Sequence, residues 1–68
     1  MDNVEIFTLC EDEVKRMNKE YDSILEKDDL NDIIQSSFND AIKYDKPYRK
    51  VDERTIKVIV NRKFKEIL

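Results

Sequence analysis

The chain has 68 residues, 43% of them charged, with no histidine, no glycine, one cysteine and one proline. That inventory excludes an internal disulfide, argues against a structural zinc, and disfavours hairpin-rich β folds, whose tight turns use glycine at positive φ. The formal net charge of −3 hides a division: residues 1–42 hold 12 acids and 4 bases, net −8, whereas residues 43–68 hold 4 acids and 9 bases, net +5.

The first periodic segment runs over residues 9–27. Cys10, Val14, Met17, Tyr21, Ile24 and Leu25 recur at three- and four-residue steps, which places them on one helical face. Glu13, Lys15, Arg16, Lys19, Glu20, Asp22 and Glu26 fall on the remainder. Thr8 and Glu11 have the spacing of a capping box, and Glu11, Asp12 and Glu13 complement the dipole of a first turn. Ahead of them, Val4–Phe7 reads as a short strand or an extra turn packed on the bundle.

The second segment runs over residues 30–45, with Leu30, Ile33, Ile34, Ser37, Phe38, Ala41 and Tyr44 on its apolar stripe. Asp28 or Asp29 supplies the N-cap. The stripe slips by five residues between Leu25 and Leu30, which favours a break at 26–29 over one continuous helix. So short a connection favours an antiparallel pair. Lys46 precedes Pro47 and is pushed toward extended geometry, which ends the second helix and opens a loop over 44–50.

The third segment covers residues 53–67. Ile56, Ile59, Val60, Phe64 and Ile67 lie on one face, with Lys63 among them. Asp52 is placed to cap, and Val51 and Ile56 stand at staple positions around it. The β-branched run over 56–60 also admits a strand, but only the helical spacing continues to the end. The expected fold is all-α: a single small three-helix bundle over residues 1–68. A chain this short buries only about 60% of its unfolded surface. A core of that size supplies about 3–5 kcal/mol, so self-association or a partner is expected to reinforce it.

The inventory bears on function mainly by exclusion. With no histidine to act as base and no glycine-rich phosphate loop, an enzyme is not expected, and neither is a small-molecule substrate or a cofactor. Cys10 falls on the apolar stripe and reads as a small buried hydrophobe. No stretch of about 18 apolar residues is present to span a membrane. The opening Met1-Asp2-Asn3-Val4-Glu5 has neither the basic nor the apolar region of a secretory signal, so a cytoplasmic location is expected.

The basic end is the candidate binding region. Tyr44, Lys46, Tyr48, Arg49 and Lys50 lie in the loop, and Arg54, Lys57, Val58, Arg62 and Lys65 share the outward side of the third helix. Lysine and arginine neutralise phosphates and tyrosines stack on bases, which fits a nucleic acid. Against that, the sequence pI is about 4.9, where a nucleic-acid-binding domain is usually above about 9. A ribbon–helix–helix arrangement would offer Asp2 and Glu5 to a polyanion. Attraction between the acidic and basic halves is the plainer account of the charge division. Tyr48, Val58 and Ile42 are apolar positions left outside the stripes, and they point to a partner surface or a homodimer. The reading is a small non-enzymatic protein–protein interaction or regulatory module that self-associates. Its alternative is a nucleic-acid-binding regulator using residues 43–65.

Overall fold

A computed structural model describes residues 2–67. Three helices, α1 (Asn3–Glu20), α2 (Lys27–Tyr44) and α3 (Glu53–Ile67), pack each against both others, and the described residues contain no strand. The fold is therefore the all-α three-helix bundle that the periodicity predicts.

The first helix begins six residues earlier than its expected start at residue 9. Asp2 is its N-cap: the backbone is extended there, and its carboxylate accepts from the Glu5 amide at 2.8 Å. Glu5 lies in the first turn, where it favours the dipole. Val4–Phe7 is thus helical rather than a strand. Thr8 lies inside the helix, so the Thr8–Glu11 capping box does not form. Ile6, one turn before Cys10, extends the buried stripe toward the N-terminus.

The same helix ends at Glu20, short of the expected residue 27. The Asp22 amide donates to the Lys19 carbonyl at 3.2 Å and the Ser23 amide to the Asn18 carbonyl at 2.8 Å, which is a Schellman termination. Such an ending needs a left-handed residue, normally glycine. Here Asp22 and Ser23 adopt it, with φ of 61° and 55°. The buried Asn18 then fixes the connection, its Oδ1 accepting from the Leu25 amide at 3.0 Å. The break therefore occupies residues 21–26 rather than 26–29, and Tyr21, Ile24 and Leu25 leave the α1 stripe for the loop. Tyr21, expected in the core, is 39% exposed and stacks on Phe64 with ring centroids 5.9 Å apart.

In α2 the cap position is Glu26, which makes no side-chain cap bond. Asp28 and Asp29, expected as caps, stand in the first turn. α3 begins as anticipated: Asp52 Oδ1 accepts from both the Thr55 amide and the Thr55 hydroxyl, each at 2.8 Å. Those bonds hold the Asp52 carboxyl below its usual pKa, the Thr55 amide contributing most. Val51 and Ile56 are both buried, as a staple across that cap requires.

The core runs the length of the bundle: Ile6, Cys10, Val14 and Met17 from α1, Ile33, Ile34 and Ala41 from α2, Val51 from the loop, and Ile56, Val60 and Phe64 from α3. Phe7, near the start of α1, meets Phe38, in the second half of α2, edge-on at 5.3 Å. That contact, with the tight loop at the other end, makes α1 and α2 antiparallel. Ser37 is fully buried among these residues, and its hydroxyl has no hydrogen-bond partner.

Candidate functional site

The basic loop is a folded unit. Lys46 and Arg49 exchange two backbone hydrogen bonds, at 2.8 and 3.0 Å, around Pro47 and Tyr48. Proline sets φ for the first corner of such a turn, and Tyr48 is carried to its tip, 83% exposed. Asp45 Oδ1 accepts from the Val51 amide at 3.1 Å, which ties the end of α2 to the residue before the Asp52 cap. Arg49 folds back: its Nε donates to the Tyr44 carbonyl at 3.0 Å, and its guanidinium lies 4.2 Å from the centre of the Tyr44 ring. The loop thus brings Tyr44 and Arg49 together but engages both internally. Lys46, Tyr48 and Lys50 are left facing solvent.

On α3, Arg54, Val58, Arg62 and Lys65 are exposed on the side away from Ile56, Val60 and Phe64, whereas Lys57, also exposed, stands at the flank that faces α1. Val58 is 53% exposed and sits one turn from Arg54 on one side and Arg62 on the other. Lys57 reaches Glu53 at 4.0 Å along its own helix. No other residue of this candidate face makes an ion pair among the described residues. The face is therefore a stripe of cations with an exposed valine at its middle, continued at the N-terminal end of α3 by Lys50 and the turn that carries Tyr48.

The acidic half does not neutralise it. Four of the five ion pairs among the described residues lie within a single helix. The fifth joins helices: Lys63 Nζ meets Asp40 Oδ2 at 2.6 Å. Lys63, the cation among the apolar positions of α3, is thus the link to α2 and not part of the outward face. Sequence periodicity could place Lys63 toward the core but could not name Asp40 as its partner, because that depends on the rotation of α2 against α3.

Two polar residues escape a reading by periodicity. Glu13, assigned by spacing to the outer face, is buried and held by Arg16, whose Nε and Nη2 donate to the two carboxylate oxygens at 3.0 and 2.5 Å. Glu13, then Glu20, keep the Arg16 guanidinium protonated beyond its already high affinity. Glu13 and Arg16 line a groove of about 230 Å³ between α1 and α3, with Leu9, Asp12, Glu53, Ile56 and Lys57. Asn18, the clamp on the α1–α2 loop, is the other.

Cys10 is fully buried, and desolvation pushes its thiol up to about 11, which leaves it a poor nucleophile near neutrality. Among the described residues no group of three histidine, cysteine, aspartate or glutamate side chains is placed to hold a metal ion. No helix among them is long and apolar enough to cross a membrane. Compared with protein-family models, with curated proteins and with solved structures, the chain matches none.

Proposed function

We propose that this protein is a small non-enzymatic interaction module whose basic loop and outward α3 face dock on an acidic protein surface. The observation that carries the reading is Val58, 53% exposed between Arg54 and Arg62, with Tyr48 83% exposed at the tip of the loop that leads into α3. An apolar contact ringed by cations matches a protein partner that offers carboxylates around a small apolar hollow. A phosphate backbone gives a valine nothing to bury against. A base-stacking platform would need several free aromatic faces; Tyr44 is occupied by Arg49, which leaves Tyr48 alone in this region. The buried, high-pKa thiol supports a binding role over a catalytic one.

The test is capture from native lysate on the immobilised protein, with and without nuclease, beside the Val58→Ser and Arg54→Glu variants. The expected partner survives nuclease and is lost from both variants. A partner that nuclease removes, and that Val58→Ser still retains, would replace this reading with the nucleic-acid one. Retention by both variants would show that the partner docks elsewhere.

A further inference from the structure

The α1–α2 loop and the start of α2 form a strongly acidic surface. Over residues 21–32, Asp22, Glu26, Asp28, Asp29 and Asp32 stand against Lys27 alone, and all six are exposed. The last turns of α1 and α3, which close the same end of the bundle, add one acid and one base each and leave that balance unchanged. None of the five acids makes an ion pair among the described residues. Ile24, 49% exposed, stands in the loop between Asp22 and Glu26. The second loop and α3 have the opposite balance. Residues 45–66, leaving out Lys63 in its bridge to Asp40, hold seven bases and four acids and carry the exposed Tyr48 and Val58. The chain's own acidic loop is badly placed to neutralise them. Lys46, Lys50 and Arg54 lie at the start of α3, whereas Tyr21 stacks on Phe64 near its end. The 15 residues of α3 span about 22 Å, over twice the screening length of about 8 Å at physiological salt. Arg62 and Lys65, nearer the acids, make no ion pair either.

We infer that the acidic surface on which the α3 face docks is the α1–α2 loop of a second copy of this chain. The inference rests on the reading of that face as a docking surface and names its partner. Each surface repels its own kind, so neither serves a two-fold contact in which a patch meets itself. Each attracts the other, and each sets an exposed apolar side chain among its charges, Val58 on one and Ile24 on the other. The contact is therefore heterologous: the basic face of one copy takes the acidic loop of the next. A pair joined in this way still offers one free basic face and one free acidic loop. Association thus does not stop at two chains unless the rotation between copies closes a ring. Because the attraction is between exposed charges, it weakens as salt is added.

Sedimentation equilibrium over a concentration series at low salt tests it, with two double variants that neutralise one surface each. Arg54→Gln with Arg62→Gln empties the basic face, and Glu26→Gln with Asp32→Asn empties the acidic loop. All four side chains are exposed, and urea midpoints check that both variants fold. The mass of the wild-type chain should rise with concentration from 8.2 kDa past twice that value, and fall back as salt is raised. Each variant alone should associate at least about tenfold more weakly. Mixed in equal amounts, the two should form pairs and stop there, because only one intact face and one intact loop remain to meet. A wild-type chain still monomeric at about millimolar concentration would overturn the inference. So would a mixture that stays monomeric, or association that either variant alone retains in full. The docking reading is judged separately, by capture from lysate. A captured protein other than this chain, lost on Val58→Ser, would leave that reading standing while the second copy is rejected as the partner.

Discussion

Ser37 shows how a single atom can work against the core that holds it. Its hydroxyl is fully enclosed and has no partner, so it lost its hydration on folding and gained nothing in return. The position favours a small side chain, because α2 is buried there between its neighbours, and alanine has the same footprint without the polar atom. Ser37→Ala should therefore stabilise the bundle by about 1 kcal/mol. In a domain of this size that is a rise of about 4–8 °C in Tm, read by calorimetry. A fall in Tm would show that the hydroxyl is bonded in solution, to a trapped water or to the carbonyl one turn back. Sequence periodicity places Ser37 on the apolar stripe correctly, but it cannot show whether a buried hydroxyl finds an acceptor. That is decided by the neighbouring helices.

Helix ends were the part of the fold least legible in the sequence, and the reasons differ at each end of α1. At its start, Thr8 and Glu11 satisfy the capping-box pattern, yet Asp2 with Glu5 three residues on is an equally good start. Beginning at Asp2 also buries Ile6 and sets Phe7 on Phe38. Packing chose between two acceptable local signals. At its end, the residue that normally marks a helix stop is missing altogether. The left-handed turn is made by Asp22 and Ser23 and is held by Asn18, seven residues from the amide it caps. Two predictions follow from that geometry. Ser23→Gly removes a side chain from a positive-φ position and should stabilise by about 0.5–1 kcal/mol, after allowing for glycine's freer unfolded chain. Asn18→Ala strands the half-buried Leu25 amide and should destabilise by about 1–2 kcal/mol. Denaturant midpoints check both. A stabilising Asn18→Ala would mean that the turn is set by something other than this bond. α3, by contrast, was legible to the residue. Its cap Asp52, its staple Val51 and Ile56 and the buried Ile56, Val60 and Phe64 agree, and the strand that the β-branched run over 56–60 admits does not form; only Ile67, expected on the stripe, is 50% exposed in the last turn.

Across the whole molecule, the charge division was visible from the first reading, but its meaning was not. Attraction between an acidic pair of helices and a basic third helix would require cations turned toward acids. Among the described residues only Lys63 is turned so, toward Asp40 across the α2–α3 contact. The remaining ion pairs are local to one helix and partly exposed, worth little and easily screened. Apolar packing of Ile6, Val14, Ile34, Val60 and Phe64 therefore carries the fold, and the outward cations of α3 face solvent. Salt separates these two roles. Raising ionic strength from about 0.02 M to 0.5 M, where the screening length falls from over 20 Å to under 5 Å, should move the folding stability by less than about 1 kcal/mol. The same change should sharply weaken binding through Lys50, Arg54 and Arg62. Folding stability is measured by urea denaturation, because guanidinium is itself a salt. A loss of more than about 2 kcal/mol at high salt, well above what one partly exposed ion pair supplies, would show that the acidic and basic halves hold each other after all. The basic face would then be needed for folding before it is available for binding.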